Sequence, residues 1–287
     1  MAIIFKKLTE CKIEEAVTAW NRGFEGYFVQ IEMTAETFFQ RFVNEGLSMT
    51  MSLVAFDGEE PVAIILNGVR NIDGKKTVWN GGTGVATSYR GKGVSKQLME
   101  ETFKLYADEG IEVATLEAIK ENERAIRLYQ KYGYEIIDSV VFLSGAVESQ
   151  SAATSSIQIK PIRPEQLPTF QFYKENVPWQ CQWQSVRPGE AQVYYAAGDE
   201  QLGYCLFRRV WNQTGQLEKV IIYQLELFSE FTSDIINTIM AGICGEADHS
   251  VNIMTVNASL SNPVTQYLIE NGFSKATEQV QMVKQVN

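Results

Sequence analysis

Histidine is almost missing from this chain: His249 is the single one in 287 residues. Cys11, Cys181, Cys205 and Cys244 are scattered, with no Cys-x-x-Cys pair. These two shortages exclude a zinc site of the usual kind. A Ser/His/Asp or Cys/His nucleophile would depend on His249, which has no motif beside it and reads as a surface residue. Basic residues are also short, with 25 Lys and Arg against 35 Asp and Glu and a net charge of −10. That balance argues against nucleic acid, whose phosphates need a basic surface, and suits a cationic partner such as an amine. No apolar run approaches the ~20 residues that span a bilayer, so no membrane partner is expected. The opening Met1-Ala-Ile-Ile-Phe-Lys-Lys-Leu8 has none of the parts of a signal peptide and looks like a first strand. The expected location is the cytoplasm.

What is present is an ordinary globular composition, 45% hydrophobic and 21% charged, at a length that suits two domains. Residues 3–8 alternate as a strand. Thr9 is placed to cap a helix carrying Ile13, Ala16, Val17 and Trp20. A loop with two glycines follows at 21–29, and Thr34 opens a second helix with Phe38, Phe39, Phe42 and Val43. Strands at 49–56, 62–69 and 77–85 are joined by the turns Asp57-Gly58 and Asp73-Gly74. A helix begins at Val94, a strand runs over 111–118, a short helix over 122–133 ends on Gly133, and a last strand or hairpin follows at 134–143. The order predicts an α+β fold, a mixed and mostly antiparallel sheet with helices on both sides. The small, polar stretch 146–156 reads as a linker between domains 1–145 and 157–287.

Beyond that stretch the pattern begins again. Ile157-Gln-Ile-Lys-Pro-Ile-Arg-Pro-Glu165 echoes Ile3-Ile-Phe-Lys-Lys-Leu-Thr-Glu10, the 192–204 segment echoes 52–63, and Tyr267-Leu-Ile-Glu-Asn-Gly-Phe273 echoes Leu128-Tyr-Gln-Lys-Tyr-Gly-Tyr134. Three echoes in one order signal a duplication.

The first half carries a second pattern. Val85-Ala-Thr-Ser-Tyr-Arg-Gly-Lys-Gly-Val-Ser95 reads as a strand end, a glycine loop and an abrupt helix start. Free loop N–H groups and the positive end of a helix dipole converge there, which makes an anion site fit for a pyrophosphate. Spacing excludes the nucleotide folds. A dinucleotide fingerprint needs glycine where Lys96 or Thr87 stands, and a P-loop needs glycine at Ala86 and Ser or Thr at Gly93.

Arg90-Gly-Lys-Gly-Val-Ser95 resembles the Arg/Gln-x-x-Gly-x-Gly/Ala signature of the GCN5-related N-acetyltransferases, with Ser95 where Gly or Ala is commoner. Asn122-Glu-Arg-Ala-Ile-Arg-Leu-Tyr-Gln-Lys-Tyr-Gly-Tyr134 resembles that family's Asn-x-x-Ala-x-x-Leu-Tyr-x-x-x-Gly-Phe helix. The resemblance covers roughly residues 1–145 and implies an acetyl-CoA site. It implies that Val85 and Thr87 lie along the pantetheine arm and that Arg90, Gly91, Lys92, Gly93, Val94 and Ser95 wrap the pyrophosphate. Asn122 would touch or support the pantetheine, and Tyr129 would sit by the sulfur.

Acetyl transfer from a thioester needs a neutral amine, a stabilised oxyanion and a proton for the leaving thiolate. Tyr129 is the candidate acid, and Glu117, twelve residues earlier in an otherwise apolar strand, the candidate base. Ribosomal-protein N-terminal acetyltransferases of this family use the same spacing. Tyr129 also reads as a core tyrosine, and Glu117 as a solvated strand-end carboxylate. Glu25 and Tyr27 lie in the loop that borders the family's acceptor pocket, and Asn80 on the strand beside it. The same loop also reads as an exposed turn anchored by one aromatic. No metal is expected.

Aligning Gly272 with Gly133 sets Leu268 at Tyr129 and Val256 at Glu117, and no glycine loop occurs between Leu225 and Ile235. The second half therefore resembles a degenerate copy that binds no coenzyme and serves to cover the acceptor pocket or to dimerise. The expected activity is acetyl-CoA-dependent N-acetylation of a small-molecule or peptide amine. The alternatives are a protein N-terminal acetyltransferase and a non-catalytic acyl-CoA sensor or assembly module.

Overall fold

The structure is a computed structural model that describes residues 3–29, 31–148, 157–196, 198–245, 247 and 249–286. The chain divides into two compact units, Met1–Ile137 with Gln281–Asn287, and Asp138–Val280.

The first unit runs β1 (Ile3–Lys7), α1 (Ile13–Gly23), α2 (Ala35–Glu45), β2 (Leu47–Asp57), β3 (Glu60–Ile72), β4 (Lys75–Val85), α3 (Val94–Asp108), β5 (Val113–Ile119) and α4 (Glu123–Lys131). Thr9 does not cap α1. It lies in a 3-10 turn, Leu8–Glu10, and the helix starts after Lys12, whose N–H donates to the Glu15 carboxylate at 2.7 Å. Asn21, Arg22 and Gly23, assigned above to a loop, form the last turn of α1. Thr34 does cap α2, accepting from Thr37 N–H at 3.2 Å. Trp20, Phe38 and Phe42 of these two helices are buried on Val54, Phe56, Ile64 and Leu66 of β2 and β3. Each such side chain contributes roughly 1.5–3 kcal/mol on burial. Gly23 and Gly84 let α1 lie directly on β4, since a Cβ on Gly23 would stand 2.8 Å from the Gly84 carbonyl carbon.

The second unit takes β6 (Glu135–Val147) from Asp138 onward, then β7 (Gln158–Ile162), β8 (Glu190–Tyr195), β9 (Gln201–Trp211), β10 (Leu217–Leu227), α5 (Ser233–Cys244), β11 (Val251–Thr255), β12 (Ala258–Ser259), α6 (Pro263–Glu270) and β13 (Ser274–Gln285) as far as Val280. Short 3-10 turns, Pro164–Thr169, Trp179–Cys181 and Trp183–Val186, stand where the first unit has α1 and α2.

Strand order in the first unit is β1-β2-β3-β4-β5 and then the end of β13. In the second it is β6-β11-β10-β9-β8-β7, with β12 also on β6. The strand after α4 thus serves the second unit, and the strand after α6 ends in the first. This departs from the boundary expected at 145. Ala146 and Val147 are not linker but strand, paired with Asn252 and Val251. Their small, uncharged side chains gave no sign of the partner that orders them, and the rest of the expected linker, 149–156, lies outside the described residues. Both units are α+β, each with a mixed, mostly antiparallel sheet. Among the described residues no helix is long and apolar enough to cross a membrane.

Candidate active site

The glycine loop follows a 3-10 turn, Thr87–Tyr89, and leads straight into α3. Gly91 and Gly93 have φ of +81° and +85°, the left-handed region that L side chains avoid. That pair of turns leaves the N–H groups of Gly91, Gly93, Val94 and Ser95 without a hydrogen-bond acceptor among the described residues. They open at the positive end of the 15-residue α3. The Arg124 guanidinium from α4 reaches within 4.0 Å of where a Gly91 Cβ would stand, a neighbour the sequence did not single out. Lys92 turns its ammonium toward the Tyr89 ring, 5.4 Å from the centroid. Four amides unused among the described residues, a helix dipole and the Arg124 guanidinium fit a diphosphate.

Arg90 is used differently from what the resemblance implies. Its guanidinium donates to three main-chain carbonyls: Val85 at 3.0 Å, Gly23 at 3.1 Å and Glu25 at 2.9 Å. It therefore ties the end of β4 to the end of α1 and to the loop that carries Tyr27. Glu25 is exposed and contributes its carbonyl to that tie.

Downstream of the loop the sheet is parted. β4 and β5 pair in parallel only from Thr77/Val113 to Asn80/Leu116, though both strands continue to Val85 and Ile119. A bulge sits where they separate, since Leu66 faces Gly82 and Asn67 faces Asn80, leaving Gly81 without a partner on β3. The Gly81 carbonyl is held instead by the Arg41 guanidinium, which lies over the Trp20 ring. The result is a wedge between two strand ends that no longer pair with each other, beside the glycine loop.

Tyr129 of α4 is buried at this wedge, 8% exposed, with its phenol facing Thr83 and Asn80. Burial pushes its pKa up, the Thr83 and Asn80 side chains offset part of that rise, and the nearby Tyr27 hydroxyl adds to it. Asn80 donates to the Thr83 hydroxyl at 2.9 Å and accepts from Gly82 N–H at 3.0 Å. Thr83 went unnoticed in the sequence because a threonine in a strand carries no signal of its own. Tyr27 approaches from the α1–α2 loop. Its hydroxyl accepts from Asn122 at 3.5 Å, while Asn122 caps α4 by accepting from Ala125 N–H at 3.2 Å. Burial raises the Tyr27 pKa as well. Tyr27, Asn80, Asn122 and Tyr129 thus converge.

Glu117 borders the wedge from the other face. Leu66 packs with α1 and α2, and Asn67, its neighbour on β3, accepts from Tyr106 of α3 at 2.7 Å. Asn80, opposite Asn67, therefore faces α3 and α4, and Trp79 faces α1 and α2. Parallel pairing of Trp79 with Thr115 carries Glu117 to that same face, where its carboxylate accepts from the Trp79 indole at 2.7 Å. The two proposed catalytic side chains stand on opposite faces of a gap, not side by side. Burial first, then the Glu15 charge, pushes the Cys11 pKa up to about 11, and burial does the same at Cys244.

The sequence profile of the acetyltransferase (GNAT) family matches residues 14–134, from α1 through the strand-side Tyr134. Over these residues the chain is similar to the GNAT family. Solved structures share the fold along both units. A GCN5-related N-acetyltransferase from Anabaena variabilis aligns over 100% of this chain and 73% of its own, at 18% identity and a TM-score of 0.60. One from Sphaerobacter thermophilus aligns over 99% and 96%, at 13% identity and 0.64. A tandem GNAT protein from the clavulanic acid biosynthesis pathway aligns over 100% and 99%, at 10% identity and 0.62. A search of curated proteins by sequence found no match.

The second GNAT-like unit repeats the wedge and then fills it. β10 and β11 part after Ile222/Thr255, with a bulge at Tyr223. Between them lies the turn Trp179–Cys181. The Cys181 carbonyl accepts from Gln224 at 2.7 Å, its thiol donates to the Val256 carbonyl at 3.0 Å, and Asn257 donates to the Gln180 side chain at 3.4 Å. No glycine loop precedes α5, whose Thr232 caps it by accepting from Ile235 N–H at 3.4 Å, and Leu268 is buried at the place of Tyr129.

Proposed function

We propose that the first GNAT unit is an acetyl-CoA-dependent N-acetyltransferase acting on a primary amine of a small molecule or peptide. The observation that carries this reading is the set of amides at Gly91, Gly93, Val94 and Ser95, unused among the described residues and leading toward the gap between β4 and β5 beside Tyr129. The coenzyme supplies an acetyl group activated as a thioester. Gly91, Gly93, Val94 and Ser95 would hold its diphosphate, with Arg124 as a counter-charge and Lys92 at the rim. The unpaired edge of β4 near Val85 and Thr87 would take the pantetheine amides.

Tyr129 keeps its proton at neutral pH, because burial holds its pKa above the ordinary 10. It is therefore a phenol able to give that proton to a leaving thiolate. Glu117, fixed by the Trp79 indole, would accept the proton lost by the amine, directly or through water. Tyr27 and the Glu25 loop would border the acceptor, and the acidic surface favours a cationic amine. The self-filled wedge supports reading the second unit as a copy that takes no coenzyme.

Two measurements test this. Purified protein supplied with acetyl-CoA and a panel of polyamines, aminoglycosides, amino acids and peptides should release free thiol with at least one acceptor. Coenzyme A binding without turnover across the panel would make the protein a sensor instead. Titration should give one coenzyme A per chain, and a second equivalent would contradict the filled wedge.

Arg90→Ala gives a third prediction. Its hydrogen bonds to carbonyls are charge-assisted, so their loss should cost about 1.5–3 kcal/mol of local stability. Hydrogen exchange should quicken in the 23–28 segment, while coenzyme A affinity changes little. Slow exchange there, with coenzyme affinity collapsed, would return Arg90 to the pyrophosphate.

A further inference from the structure

The space between α3 and α4 is filled by rings in the first unit and is hollow in the second. In the first, Phe103 stacks on Tyr132 at 5.4 Å, meets Tyr106 edge-on at 5.5 Å and Tyr134 at 6.4 Å, and carries the Lys284 ammonium 5.6 Å above its face. Setting Gly272 on Gly133 places Asn271 at Tyr132, Phe273 at Tyr134 and Gly145 at Lys284. Matching the buried stripe Leu98, Met99 and Thr102 of α3 to Ile239, Met240 and Ile243 of α5 places Cys244 at Phe103 and Ala247 at Tyr106. Three of four rings and one long side chain are gone. Phe273, the remaining ring, sits on Gly145, where a Cβ would come to 2.7 Å. What is left is a cavity of about 280 Å³ walled by Val147, Ile236, Met240, Cys244, Leu268 and Phe273.

We propose that this cavity is a binding site for a compact aromatic or branched aliphatic amine. It is separate from the acetyl-transfer site and stands whether or not that reading holds. The size suits one or two rings, and the lining sets apolar walls beside polar groups, as a small-molecule site does. The first unit shows that this fold can close the same space with its own side chains, so the hollow is not imposed by the backbone. Glu148, Asn237, His249 and Asn271 supply polar groups to the lining. Asn237 is exposed and makes no hydrogen bond among the described residues. Asn271 gives its N–H to the Tyr267 carbonyl at 2.8 Å, which leaves its own carbonyl oxygen as an acceptor. Among the described lining residues, the only carboxylate is that of Glu148. The Cys244 thiol, raised by burial to about 11, adds no charge at neutral pH. His249 also lines the cavity and has its Nε2 against the Leu217 carbonyl at 2.8 Å. The remaining acceptors and the Glu148 charge, set beside apolar walls, select a cation with an apolar body.

The test uses the full chain with phenethylamine as probe and the neutral 2-phenylethanol beside it, followed by calorimetry and saturation-transfer NMR. Wild type should bind phenethylamine saturably and more tightly than the alcohol by about tenfold, the step worth 1.4 kcal/mol. Cys244→Phe puts back the ring that Phe103 supplies in the first unit and should abolish binding. Ala241→Phe at the rim is the second blocking variant, should the first fail to fold. Glu148→Gln should remove the preference for the amine. No saturable binding in wild type, binding that survives a folded blocking variant, or an amine preference unchanged in Glu148→Gln would each overturn the proposal.

Discussion

Tyr129→Phe should lower turnover by about 10²–10⁴-fold, the range for loss of a positioned proton donor, with little change in coenzyme A affinity. The change removes one oxygen from a side chain that is otherwise core, stacked edge-on against Tyr134 at 5.8 Å. The fold should therefore tolerate it. Turnover with saturating acetyl-CoA and a responsive amine, compared with the coenzyme Kd from calorimetry, separates chemistry from binding. An unchanged rate would take Tyr129 out of the mechanism. The pH profile gives a second reading of the same residue. Because its folded pKa lies above 10, the phenol stays protonated through pH 9. The rate should rise toward pH 9 as the acceptor amine loses its proton, with no descending limb from Tyr129 in that range. A fall in kcat between pH 7 and 9 would be incompatible with this donor.

Removing residues 281–287 should cripple the first unit, although they lie far from it in sequence. The end of β13 runs beside β5 and buries Met282 completely. Val286 N–H donates to the Glu112 carbonyl at 2.8 Å, and Lys284 covers the Phe103 ring. Loss of Met282 burial alone costs roughly 1.5–3 kcal/mol, and each backbone bond adds about 0.5–1.5. The whole is a large share of a typical 5–15 kcal/mol domain stability, on the order of 10 °C in melting temperature. It would also leave β5, one wall of the wedge, as a bare edge. The expected result is a lower first melting transition with coenzyme A binding weakened or lost. Met282→Ala, which keeps the strand and its backbone bonds, is the milder form, expected to cost about 2 kcal/mol. A truncated protein that melts and binds like the full chain would show that β13 is dispensable.

Legibility in the sequence followed locality. The glycine loop, the Thr34 cap, the turn at Asp57-Gly58 and the α4 helix ending on Gly133 could all be read because short-range chemistry fixes them. The α1 start was misplaced by a few residues, because Thr9 is a preferred capping residue, whereas the observed start rests on the Glu15 carboxylate reaching back to the N–H of Lys12, a residue type that carries no capping signal. Long-range facts carried no signal. Nothing in Arg90 says that its side chain turns back to Gly23 and Glu25, and nothing in Thr83 or Arg124 marks them as neighbours of the site. The echo between halves revealed the duplication but not the exchange of final strands, since β6 and β13 have equal claim on either sheet by pattern alone. The emptiness at Cys244 could be read only once both copies were compared in three dimensions.

That exchange of strands also sets an order of events during synthesis. Domains usually fold as they emerge, the N-terminal one first. Here the unit encoded first waits for β13, which appears only after all of residues 138–280 has been made. Until then β5 has no neighbour on one side, and the 91–95 loop belongs to an unfinished sheet. Acetyl transfer on this reading begins only when the second copy is already in place.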